Sequence, residues 1–159
     1  MDMKSIQAQS ARAERLLLAY RQLVDCAEQE NCELVMVEDG VQSAVNVCHG
    51  LAARSGWWTS RLTGKPLDLT QVNIGEKLML IVSEVAEAME GDRKDLMDDK
   101  LPHRKMLEVE LADALIRIFD LAGFLQLDLA GAVIEKLAFN QQRPDHKLEN
   151  RNAPGGKAY

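Results

Sequence analysis

Two short acidic pairs, Glu84-x-x-Glu87 and Glu110-x-x-Asp113, each stand inside a run of apolar residues. On a helix, a spacing of three puts both carboxylates of a pair on one face, about one turn apart. Two such helices side by side can direct four oxygen ligands into one pocket. Carboxylates buried without partners are costly and tend to take up protons. Only Arg117 and Lys77 stand close enough in the pattern to supply positive charge, so a bound cation is the economical explanation. A di-iron bundle would show Glu-x-x-His on two helices, and none of His49, His103 and His146 lies three residues after a Glu. An all-carboxylate set is hard and oxygen-rich, which suits Mg²⁺ or Mn²⁺, the cations that accompany phosphates. One such pair alone is common on a solvated face. Two pairs bordering apolar arcs in consecutive helices carry more weight.

The elements that must position these residues read as helices, because the dominant apolar period is helical. The expected helices run from about Ser5 to Glu30, Gly40 to Ser55, Gln71 to Met97, His103 to Leu125 and Leu127 to Arg143. Gly91 is a weak point in the third, Pro102 breaks the chain before the fourth, and Pro144 stops the fifth. The run ELVMV at 33–37 is the only strand-like one. The expected fold class is an all-α bundle of about five helices. Its expected division is an N-terminal helical extension over 1–40, a core over 41–143 and a tail over 144–159, mobile from Lys147. On the fourth helix, Glu110, Asp113, Arg117 and Asp120 form the only polar stripe between Val109 and Ala122, so the helix is expected to be buried nearly all round. On the third, Leu78, Ile81, Val82, Val85, Ala88 and Met89 make the expected core face, with Glu84 at its edge.

The 159 residues are enough for one domain with a real core. The net charge is −6, and the segment from Glu76 to Asp113 holds eleven acidic against six basic residues. That balance argues against binding duplex nucleic acid by neutralising phosphates, but leaves room for a small polyphosphate bridged by divalent cations. The longest uncharged stretch, Gly40 to Ala53, has 14 residues and includes Gln, Ser, Asn and His, too short and polar to span a membrane. No apolar segment of signal-peptide length opens the chain, and three cysteines without a CxxC fit a reduced, cytoplasmic protein.

SEVAE at 83–87 and ELAD at 110–113, separated by 22 residues, resemble the split ExxE…ExxD signature of the all-α nucleoside triphosphate pyrophosphohydrolases, the MazG-like family. LAARSGWW at 51–58 is similar to the segment preceding the metal helices in that family, and KLAFNQQR at 136–143 to its Lys…Asn…Arg helix. The resemblance covers about Val41 to Arg143. It departs at Ser83, where the fuller signature begins with a further Glu. The resemblance implies Mg²⁺-dependent cleavage (Mn²⁺ as the alternative ion) of a nucleoside triphosphate between its α and β phosphates. It implies a metal set of Glu84, Glu87, Glu110 and Asp113, with Glu87 preferred over Glu84 as the base that takes the proton of the attacking water. It also implies a homo-oligomer, dimer or tetramer, with a site built at the dimer. Lys136, Asn140 and Arg143 fall on one helical stripe and are candidates to hold pyrophosphate, though basic residues near a helix C-terminus are also favoured by its dipole. Trp57 and Trp58 offer faces for a base, with one expected to stack and one to pack; Lys77 lies near the acidic pairs.

Two other readings compete. One is a different metal-dependent phosphohydrolase acting on another pyrophosphate-containing metabolite. The other is a non-enzymatic helical module that docks a partner through Leu16, Leu17, Tyr20, Leu23 and Val24.

Overall fold

The structure, a computed structural model, describes residues 10–19, 21 and 33–156. The described residues are all-α and contain no strand, only the isolated bridges Thr59–Pro66 and Met97–Lys105. Helix α1 covers the helical residues at 10–19 and 21. It is followed by α2 (Glu33–Arg54), α3 (Ile74–Arg93), α4 (Met106–Phe124), α5 (Leu129–Gln142), a 3₁₀ turn (Pro144–His146) and α6 (Leu148–Arg151). No described helix is long and apolar enough to cross a membrane.

The start of α2 and the tail differ from expectation. Helix α2 begins at Glu33, so the strand-like ELVMV is helical and Gly40 lies inside the helix. The less exposed positions Val37, Val41, Ala44, Val45, Cys48 and Ala52 recur every three or four residues, and that period outweighs the cost of one Gly. The expected boundary at 40/41 therefore falls within a continuous helix. In the tail, Leu148–Arg151 forms a helical turn, and the Asn150 side-chain amide donates to the Pro144 carbonyl at 2.6 Å.

By contacts the described residues form two compact units, one comprising those up to Gln42 together with those from Asp128, the other Ser43–Leu127. In the first, Leu16 and Ala19 pack with Ile134 and Ala138, and Val37 lies against them. Arg12 holds this unit further. Its guanidinium donates to both oxygens of Asp128, at 2.6 and 3.0 Å, and to Glu38 at 2.9 Å. Asp128 also caps α5 by accepting from the Gly131 N–H at 3.1 Å. Leu16 is thus a core residue and not a docking contact; Leu17 is exposed, and Tyr20, Leu23 and Val24 lie outside the described residues.

In the second unit α3 packs against α4. A Cβ on the buried Gly91 would stand 2.9 Å from the Met106 side chain and 3.1 Å from the Leu107 nitrogen, so the residue expected to weaken α3 instead lets α4 start close against it. Three helices of this unit end in the same way. At α2 the Gly56 N–H donates to the Ala53 carbonyl and the Trp57 N–H to that of Ala52, with Gly56 at φ +83°. Asp95 (φ 51°) ends α3 and Gln126 (φ 53°) ends α4 with the same pair of bonds.

Candidate metal and ligand site

The inward side of α3 agrees with expectation at Ala88, which is buried, and at the half-buried Ile81, but not at the other four residues. Glu84, Ala88 and Gly91 are its buried residues, whereas Leu78, Val82, Val85 and Met89 of the expected core face are at least half exposed. On α4 the buried residues are Glu110, Ala114, Leu121 and Ala122. Leu111, Leu115 and Ile116 are exposed, so α4 is not buried all round. Small side chains permit close approach of two helices, and here the small residues and the acids share the inward positions.

Oxygens of Glu84, Glu87 and Glu110 lie within 4.8 Å of one another, with Glu84 and Glu110 buried and Glu87 exposed. Asp113 is not part of that group. It lines the adjoining cavity and adds to the negative field at Glu110. One expected basic neighbour answers this charge directly, because Arg117 Nη2 pairs with Glu84 Oε1 at 2.7 Å. Glu110 titrates far above an ordinary carboxyl, at about 7. Burial contributes most, then the hydrogen bond that its protonated form makes with Glu84, then repulsion from Glu87, Glu84 and Asp113.

The donor set fits a small hard cation. Ligands on opposite sides of Mg²⁺ stand about 4 Å apart, twice a bond of about 2.1 Å. Three carboxylate oxygens already within 4.8 Å need only small side-chain shifts to reach that spacing.

Beside the acids lies a cavity of about 440 Å³, lined among others by Trp57, Trp58, Lys77, Asp113, Arg117 and Asp120. The turn after Gly56 sends the two tryptophans to different fates. Trp58 is buried, and its ring is stacked on Phe124 at 3.9 Å with an interplanar angle of 8°. Lys77 Nζ stands 4.9 Å from its ring centroid. Its indole N–H donates to Asp120 Oδ1 at 2.7 Å, and His49 Nδ1 lies 2.9 Å from the same oxygen. Trp57 is 66% exposed.

His49 reaches Asp120 because residue 123 is glycine: a Cβ there would collide with the His49 Cβ and lie 2.7 Å from its Cγ. Sequence reasoning named neither His49 nor Asp120 as a site residue. The available signal was the position of Asp120 on the same polar stripe as Glu110, Asp113 and Arg117.

Lys136, Asn140 and Arg143 belong to the other unit. Lys136 Nζ lies 4.7 Å from the Phe139 ring centroid, and the Arg143 fork donates to both oxygens of Asp145 at 2.9 and 2.6 Å. Asn140 Oδ1 is buried with no hydrogen-bond partner among the described residues. Cys48 is a free, partly buried thiol whose pKa is raised by burial first and by Asp120 second; Cys26 and Cys32 lie outside the described residues. No family model, curated protein or solved structure matches this chain.

Proposed function

We propose that this chain is a Mg²⁺-dependent nucleoside triphosphate pyrophosphohydrolase of the MazG-like kind. The observation that carries the reading is the convergence of Glu84, Glu87 and Glu110 within 4.8 Å, two of them buried, beside an aromatic-lined cavity of about 440 Å³. Burying that much like charge without an ion is unfavourable, and the neighbouring space is on the scale of a nucleotide.

Glu84, Glu87 and Glu110 would hold the cation, with Asp113 at the cavity side of the same field. When bound, the ion supplies charge neutralisation at the phosphate oxygens and acidifies a water. Glu87 is the exposed carboxylate of the three and takes the proton of the attacking water. The water oxygen bonds to the α-phosphorus, and pyrophosphate leaves with the electron pair of the bridging oxygen. Arg117 holds Glu84 in place through its ion pair. Trp58 is committed to packing, which leaves Trp57 to stack on a base.

A second copy of the chain is proposed to cover the outer face of α3. Leu78, Val82, Val85 and Met89 recur at i, i+4, i+7 and i+11 and are at least half exposed, a seam suited to another helix. Lys136, Asn140 and Arg143 keep the role of holding pyrophosphate on spacing alone; Lys136→Ala with KM and kcat unchanged removes it.

The test is product analysis with a panel of nucleoside triphosphates and Mg²⁺. Release of monophosphate and pyrophosphate, lost in Glu87→Gln, supports the reading. Orthophosphate as the product favours the alternative phosphohydrolase. Absence of any cleavage, with melting indifferent to Mg²⁺ and Mn²⁺, favours the interaction module.

A further inference from the structure

Asp113, Arg117 and Asp120 fall at i, i+4 and i+7 on α4 and all line the cavity. At 1.5 Å per residue, the seven positions from Asp113 to Asp120 cover roughly 10 Å. That is comparable to the reach of a nucleotide from its α-phosphate to the outer edge of its base. One end of the stripe adjoins the acid cluster, and the other carries a carboxylate whose orientation is fixed.

Asp120 Oδ1 is doubly engaged, by the Trp58 indole N–H at 2.7 Å and by His49 Nδ1 at 2.9 Å. A carboxylate only accepts, so both neighbours are donors. Oδ2 has no hydrogen-bond partner among the described residues. Turning the carboxylate over brings the same situation back, because its two oxygens are equivalent. Trp58 has Phe124 on its ring and Lys77 close by, whereas Trp57 lines the cavity and is open.

We infer that Asp120 selects the base, favouring substrates that turn a single amino group toward it: the 4-amino and 6-amino bases, cytosine and adenine, over their 4-oxo and 6-oxo counterparts. An amino N–H completes the coordination of Oδ2. A ring carbonyl in its place sets two acceptors face to face with no proton between them. Guanine's paired N–H edge suits a carboxylate with both oxygens open, and here one is already filled. This inference rests on the nucleotide reading proposed above.

The test is calorimetric titration of the full chain, in Mg²⁺, with non-hydrolysable α,β-imido analogues of dCTP and dUTP, then of dATP and dITP, and with tripolyphosphate. The expected result is tighter binding of each amino member by about tenfold or more, the effect of one unpaired acceptor at a partly buried site. In Asp120→Asn the amide can offer an N–H to the carbonyl, so the preference falls to within about threefold or reverses. Equal binding of the two members of each pair in the unaltered protein overturns the inference without reference to any variant. So does an unchanged preference in Asp120→Asn. Tripolyphosphate binding as tightly as the nucleotides also overturns it, while leaving the acidic site intact as a phosphate site. Failure of every one of these ligands to bind removes both readings together.

Discussion

Replacing Glu110 with Gln should make the metal-free protein more stable, by an amount that grows from about pH 5 and is full above pH 7. The folded chain raises the Glu110 carboxyl from 4.5 to about 7, by burial, by its hydrogen bond with Glu84 and by the charges of Glu87, Glu84 and Asp113. The native state therefore binds more protons than the unfolded state between those two values, and stability must fall as pH rises through that window. A shift of about two and a half units, at about 1.4 kcal/mol each, sets the cost of ionising Glu110 on the order of 3 kcal/mol above pH 7. Gln is nearly the same shape, carries no charge and can still donate to Glu84. In EDTA the variant should exceed the unaltered protein by less than about 1 kcal/mol near pH 5 and by that order at pH 8. For a chain of this size, the difference is roughly 6–12 °C in melting temperature. The carboxyls held low by partners, such as Asp128 beside Arg12, lose their stabilising contribution only below about pH 4 and leave this window clear.

Metal nearly cancels this difference. A cation that binds ionised Glu110 stabilises the unaltered protein at pH 8 by about 2.7 kcal/mol at a concentration of one hundred times its Kd, close to the cost of the charge. The same addition should do little at pH 5, where ligand and proton compete, and little to Glu110→Gln at any pH. Melting curves at pH 5 and pH 8, with EDTA or with Mg²⁺, read all of these quantities. A variant no more stable than its parent at pH 8, a gain of equal size at pH 5, or an undiminished Mg²⁺ response in Glu110→Gln would each refute the reasoning.

Gln126 holds a left-handed conformation at φ 53° to end α4, so Gln126→Gly should stabilise the protein by about 0.5–1 kcal/mol, read as an increased urea midpoint at unchanged slope. Val85→Glu places a charge in the exposed stripe of α3 and should shift sedimentation toward monomer without lowering the monomer's own helicity; an unaltered sedimentation profile would show that the stripe is not the seam.

The helices were legible because apolar side chains recur at a helical period over most of the chain, and their stops were legible where Pro144 or Gly56 marked them. The start of α2 was not, since a five-residue apolar run has no period of its own and Gly40 argued for an interruption. The convergence of Glu84, Glu87 and Glu110 was legible in their spacing, whereas Asp113 shares that spacing and yet is not part of the group. The inward face of α3 was legible at Ala88 but misjudged at Leu78, Val82, Val85 and Met89, for a physical reason. Counting large apolar residues locates the face with the greatest tendency to leave water, and in a single chain that is not always the face turned inward. The network of Asp120 with Trp58 and His49 joins residues 62 and 71 positions apart in sequence, and no local pattern links them.

Between α3 and α4 the inward positions combine small residues, Ala88, Gly91 and Ala114, with Glu84 and Glu110, while Leu78, Val82, Val85 and Met89 of α3 stay exposed. Taken as a free monomer this is doubly unfavourable: apolar surface stays in water, and like charges are drawn out of it. Neither cost is relieved by rotating a helix, because turning α3 to bury Val82 and Val85 would withdraw Glu84 from Arg117 and move the small side chains out of the contact. Under the proposed function each cost would be met by a partner of matching chemistry, a divalent cation for the inner face and another apolar helix for the outer one. If both proposed partners bind, Val85→Glu and removal of Mg²⁺ should each lower the melting temperature through a different face of the same helix, and a melting temperature unmoved by either change removes the corresponding partner.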